Sequence, residues 1–143
     1  MKNKGITLLL AILISTMALA VGLGIFTVIY GEVGIATTSK ESLEAFFAAD
    51  SGIECALYLD IQQDAFATLG PKDACAGNNI NITDPIVNTF NLTFPSPSSP
   101  KSCTTVRVDK TDPLQTVVTS LGQNTPCPVI NAKTVQRGLE VRY

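Results

Sequence analysis

The sequence predicts an α+β fold: one long N-terminal α-helix, half membrane-embedded and half amphipathic, packed on a small C-terminal antiparallel β-sheet. Three observations carry this. An uncharged apolar run extends from Ile6 to Ile29. A Pro-free stretch from Lys40 to Gln63 then places Leu43, Phe46, Phe47, Ile53, Leu57 and Ile61 at helical spacings. Beyond Gly70-Pro71, short β-branched runs alternate with turn chemistry.

The apolar run comes first. About 20 apolar residues cross a hydrocarbon core roughly 30 Å thick, so Ile6 to Ile29 is long enough to span it. Lys2 and Lys4 precede the run and Glu32 is the next charge, which orients the chain with residues 1–4 in the cytoplasm and everything after Tyr30 outside. A secretory signal peptide is the competing reading, with Ala18-Leu19-Ala20 as its cleavage site. Cutting there leaves Val21 to Tyr30 as an apolar new terminus that nothing downstream calls for.

The helical pattern continues outside the membrane. Gly31 and Gly34 weaken it locally, and the helix is expected to reach about residue 67 before Gly70-Pro71 stops it. Strands are expected at Asn79 to Thr83, Ile86 to Phe94, Cys103 to Lys110, Leu114 to Leu121 and Gly138 to Tyr143. Asp84-Pro85, the Pro/Ser segment 95–100, Thr111-Asp112-Pro113 and Pro126-Cys127-Pro128 separate them. Val106 and Val108 alternate with Arg107 and Asp109, as on a half-exposed strand. The expected sheet has three to five antiparallel strands packed on the apolar stripe of the outer helix.

Composition narrows the function. In 143 residues, 45% are hydrophobic, 15% are charged and the formal net charge is -2, which offers no basic surface for nucleic acid. His is absent, removing the commonest general base and metal ligand, and no enzyme, cofactor or metal is expected. Asp84, Asp109 and Asp112 lack the spacing of a calcium loop. Cys55, Cys75, Cys103 and Cys127 form no Cys-x-x-Cys pair, and an even number in a small extracytoplasmic domain reads as two disulfides. Three pairings are open; Cys55 with Cys75 and Cys103 with Cys127 close the shortest loops. Asp50, between Phe47 and Ile53 on the expected stripe, and Glu54 one turn later need partners if buried. Arg107, Arg137 or Arg142 of the strands are the candidates for tying helix to sheet.

The opening Met1-Lys2-Asn3-Lys4-Gly5, followed at once by Ile6-Thr7-Leu8-Leu9-Leu10, resembles the class III signal of the type IV pilin and pseudopilin superfamily. The stretch Ser42 to Glu54, with Ala48-Ala49-Asp50-Ser51-Gly52-Ile53, is similar to the PilX-like minor pilins. The resemblance covers the chain in layout and residues 1–60 in motif. It implies a prepilin leader at residues 1–5, cut by a prepilin peptidase between Gly5 and Ile6, a membrane and filament-core helix at 6–30, and an extracytoplasmic head at 31–143. The implied partners are other pilin subunits, in a homo- or hetero-polymer, and a pilus assembly platform. The implied location is the cytoplasmic membrane, then a surface pilus or periplasmic pseudopilus. One departure stands out: pilins commonly carry Glu at the fifth position after the cut, where this chain has Leu10. A subunit lacking that carboxylate resembles a minor or tip-associated pilin more than a bulk fibre protein.

The physics of assembly runs alongside. Burying a Leu-sized side chain is worth roughly 1.5–3 kcal/mol, so about ten of them outweigh an association cost of about 4–15 kcal/mol. Leu10, Ile14, Ala18, Gly22 and Gly24 are the expected packing positions, and the small residues among them, with Ala11 and Ser15, permit close helix approach. Two other readings stay open: a non-polymerising bitopic membrane protein with a disulfide-bonded ligand-binding domain, and a component of a type II secretion pseudopilus.

Overall fold

A computed structural model describes residues 4–98 and 100–143. Met1, Lys2 and Asn3 of the expected leader lie outside the described residues, as do the side chain of Lys4 and Ser99 of the Pro/Ser segment. Helix α1 runs Lys4–Leu57 and continues as a π-helical turn, Tyr58–Gln62. Asp64 then takes a left-handed conformation, φ 47°, and a single 3-10 turn, Ala65–Ala67, follows. The regular helix therefore stops short of residue 67, because a left-handed residue breaks the hydrogen-bond ladder before Gly70-Pro71 is reached.

Among the described residues six strands follow: β1 Gly70–Asp73, β2 Asn79–Ile82, β3 Val87–Phe94, β4 Ser102–Asp112, β5 Gln115–Gln123 and β6 Gln136–Arg142. β1 and β2 pair as an antiparallel hairpin, and β3-β4-β5-β6 form a four-stranded antiparallel sheet in sequence order. Five of the six match the β-branched runs. β1 does not, since Gly-Pro-Lys-Asp carries no strand signal; its pairing with β2 is fixed by the turn that Cys75 and Asn78 build.

The chain divides into two units, one of them Lys40–Tyr143. Within it the helical segment packs on one face of the sheet. The core comprises Ile53, Leu59, Phe66, Ile80, Ile82, Phe90, Leu92, Val106, Val108 and Val118 among others. Side chains alternate across β4, with Val106 and Val108 facing the helix and Arg107 facing away. The disulfides are Cys55–Cys75, joining helix to hairpin, and Cys103–Cys127, fastening the segment 124–135 to β4. Together they are the local connectivity among the three that the sequence leaves open.

The helix face that meets the sheet is not the stripe of large residues expected from periodicity. Ile53 is buried and Leu57 partly so, but Leu43, Phe46, Phe47 and Ile61 are exposed, Phe47 and Ile61 at 57% and 62%. Small residues take their place: Ala45, Ala48, Ala49, Gly52 and Ala56. The reason is distance. A Cβ on Gly52 would lie 2.4 Å from Ser120 Oγ and 2.7 Å from Thr104 Cγ2. A Cβ on Gly122 of β5 would lie 2.2 Å from the Ala45 carbonyl oxygen and 2.3 Å from the Ala49 nitrogen. Helix and sheet backbones approach too closely for Phe or Leu.

Candidate functional site

From Ile6 to Ile29, α1 carries no charge on any face. Ile6, Leu8, Leu9, Leu10, Ile12, Ile14 and the large residues onward to Ile35 are all more than half exposed. One helix near the N-terminus is thus long and apolar enough to cross a membrane. Its hydroxyls are satisfied internally: Ser15 Oγ donates to the Ala11 carbonyl at 2.8 Å, Thr16 Oγ1 to Leu13 at 2.9 Å and Thr27 Oγ1 to Gly24 at 2.8 Å. Hydroxyls answered by the helix's own carbonyls suit an apolar surrounding. Ala11 and Ser15 lie in a shallow groove bordered by Leu8, Ile12, Leu19 and Leu23. Leu10, Ile14, Ala18, Gly22 and Gly24 are exposed, and a Cβ on Gly22 or Gly24 would meet nothing within 4 Å. Gly5 and Ile6 lie exposed in the first turn of the helix.

The head presents a second apolar surface. Leu43 and Phe47 of α1, with Phe94 of β3, line an open groove of about 330 Å³ whose rim carries Lys40 and Glu44. Phe46 stacks edge-on with Phe47, ring centroids 6.1 Å apart.

The expected ion pairs between helix and sheet are not the ones formed. Asp50 is half-buried and Glu54 exposed, and among the described residues neither makes an ion pair. Arg107 lies on the sheet face away from the helix and bonds Asp109 at 3.0 Å; strand alternation, with Val106 and Val108 inward, puts it there. Arg142 pairs with Glu140 on its own strand. Arg137 does reach the helix, but through a hydrogen bond from Nε to Ser42 Oγ at 2.8 Å.

The ion pair that joins helix to sheet is Asp60 with Lys110, and periodicity missed it. The Asp60 side chain is 6% exposed; it accepts from Lys110 Nζ on one oxygen and from Tyr143 Oη, at 2.5 Å, on the other. Lys110 Nζ also sits 5.7 Å from the centroid of Phe66. Burial, then the hydrogen bond to Asp60 and its charge, raise the Tyr143 hydroxyl above its ordinary pKa. The signal lay in the small-residue seam: counting on from Ala45, Ala49, Gly52 and Ala56, the next helical step is Asp60. A buried hydroxyl pair, Thr104 with Ser120 at 2.7 Å, lies beneath Gly52 and was likewise unforeseen. On the outer sheet face, Asp109 is lowered to about 2, chiefly by the Thr111 hydroxyl, then by the Thr111 amide and Arg107.

No protein-family model matches the chain, and no curated protein or solved structure matches it significantly.

Proposed function

We propose that this chain is a structural subunit of a type IV pilus or pseudopilus, minor or tip-associated, stored in the membrane through α1, cut after Gly5 and polymerised through the freed helix. The observation that carries the reading is a helix with two kinds of surface. From Lys40 onward its small-residue face is occupied by the chain's own sheet, whereas in its earlier part the large apolar residues from Ile6 to Ile35 are all more than half exposed. Lipid satisfies such a surface before assembly, and the same helices of neighbouring subunits satisfy it afterwards. Leu10 favours a minor position, because an uncharged residue there cannot neutralise a neighbour's terminal amine.

The test is the mature N-terminus, read by mass spectrometry on protein from sheared fibres and from membranes. A terminus at Ile6 is expected, and Gly5→Ala is expected to leave the precursor uncut. Met1 retained in a chain that never enters a sheared polymer would favour the bitopic ligand-binding alternative, and a terminus at Val21 would mean secretion.

A further inference from the structure

The four-stranded sheet has two edges, β3 and β6, and the fold covers only one of them. The residues flanking β2 are both bonded to β3. Asn78 Nδ2 donates to the Thr93 carbonyl at 3.1 Å and its Oδ1 accepts from the Thr93 amide at 2.9 Å, while Asn88 Oδ1 accepts from the Thr83 amide at 3.1 Å. The hairpin is thus held beside the β3 edge. β6 has no such cover. Thr116 and Tyr143 exchange both backbone hydrogen bonds, so Val141, Leu139 and Arg137, two residues apart in the same register, are the positions bonded to β5. The amides and carbonyls of Gln136, Gly138, Glu140 and Arg142 point the other way, and among the described residues nothing pairs with them.

Edges are ordinarily blunted by proline, a bulge, free charge or a covering element. β6 runs seven residues with no Pro and pairs with β5 in unbroken register. Its charges are spent: Glu140 and Arg142 pair with each other at 2.6 Å, and Arg137 bonds Ser42. Apolar surface flanks it on both faces. The bonds from Arg137 to Ser42 and from Tyr143 to Asp60 set one helix stripe over β6, and steps of three and four between those residues pass through Phe46, Ala49, Ile53 and Leu57. Phe46 on that stripe is exposed, and Leu57, Leu139 and Val141 are only partly buried at the margin of the core. On the outer face Gly138 carries no side chain, and its cross-strand neighbour Leu121 is 42% exposed.

We infer that β6 is a docking edge for an extended segment of another protein, which adds to the sheet as a fifth antiparallel strand. A row of alternating donors and acceptors at strand spacing is answered in full only by another extended backbone. The surroundings set the chemistry of the segment. Its side chains alternate, apolar toward Phe46, Leu139 and Val141 and polar toward the outer face, with an aromatic one opposite Gly138, where the glycine leaves room beside Leu121. The inference goes beyond the fibre-subunit reading and does not depend on it.

The experiment uses the full chain in detergent with a synthetic peptide of alternating threonine and valine that carries one central tyrosine on its threonine face. Amide exchange followed by NMR is expected to slow about tenfold at Gly138 and Glu140, while Leu139, already bonded to β5, stays unchanged. Gly138→Pro removes an outward amide without touching the β5–β6 ladder, and should weaken peptide binding about tenfold or more at an unchanged denaturant midpoint. The nearest atom to a Cβ there is Leu121 Cδ2 at 3.1 Å, the end of a flexible side chain. As a check free of any effect on folding, the same peptide N-methylated along the edge it turns to β6 should give the unaltered chain no protection. Replacing the peptide's tyrosine by alanine should weaken binding about threefold, and equal binding would overturn the aromatic preference. Unslowed exchange, protection on another strand, or protection by the N-methylated peptide overturns the docking edge itself. So does concentration-dependent protection of Gly138 and Glu140 in the chain alone, which would assign the edge to a second copy.

Discussion

Two stretches of one helix carry the same arrangement of small residues and meet different fates. Ala45, Ala49, Gly52 and Ala56 follow a four-three-four spacing, and so do Ala11, Ser15, Ala18 and Gly22. In the first stretch the seam is filled: Ala45, Ala49 and Ala56 are fully buried, and there is no room for a methyl group on Gly52. In the second, a Cβ on Gly22 meets nothing within 4 Å beyond its own turn of helix, among the described residues. A small-residue seam is a request for close approach, and the fold answers only one of the two. The seated stretch should therefore be sensitive in stability, and the open one sensitive only in association.

The sharpest way to break the comparison is to add volume where the seam is filled. Gly122→Ala sets a methyl group against the backbone of Ala45 and Ala49, which cannot swing aside, and is expected to cost about 3 kcal/mol. Gly52→Ala should cost less, because Ser120 Oγ can rotate away at the loss of its bond to Thr104, and Ser120→Ala should recover part of the deficit. Denaturant midpoints of the full chain in detergent measure both. Removing the bridge that anchors the seated stretch to the hairpin, with Cys55→Ser and Cys75→Ser together, comes next at about 2–4 kcal/mol on the same measurement.

The same contrast explains what could be read in advance. Charge and hydropathy are additive along a sequence, so the apolar run and the strands from Asn79 onward were legible from composition and turn residues. Packing is not additive. Periodicity weighted by hydrophobicity selected Phe46, Phe47 and Ile61, but the sheet approaches so closely that alanine and glycine win the interface. The same error displaced the ion pair: Asp50 was counted from the wrong stripe, whereas Asp60 continues the true one. Alternation on β4 already contradicted a pairing of Arg107 with the helix. β1 was illegible, since its four residues owe their pairing to a disulfide-held turn beside them.

Smaller effects sharpen the contrast at the seated end. Tyr143→Phe removes one hydrogen bond to Asp60 and is expected to cost about 1 kcal/mol near neutral pH. Because the folded pKa of Tyr143 lies above its ordinary value of 10.0, its contribution is complete below pH 10.0 and fades as pH rises beyond that. The variant should flatten the alkaline limb of a stability profile; an unchanged limb would dissociate Tyr143 from Asp60. Asp109 has the opposite sign. Its carboxyl falls from 3.8 to about 2 on folding, so its contribution holds above 3.8 and is lost as pH drops through about 2. Thr111→Val should move the carboxyl titration, followed by NMR, upward toward 3.8.

The smallest expected change in head stability belongs to the open stretch, and it tests the comparison most directly. Gly22→Val adds an isopropyl group where a Cβ meets nothing, so the head should melt within about 0.5 kcal/mol of the unaltered chain. Valine is at home in an apolar helix, and membrane insertion should persist. If neighbouring helices use the seam as the sheet uses its counterpart, the added volume holds them apart, and the amount of this chain in sheared fibres should fall while its membrane level does not. Gly22→Ala should sit between the two, since alanine occupies the matching positions at 45, 49 and 56 without keeping the sheet away. Equal fibre content in all three would mean that the open seam is ordinary membrane-helix composition, and that its likeness to the seated one is an accident of sequence.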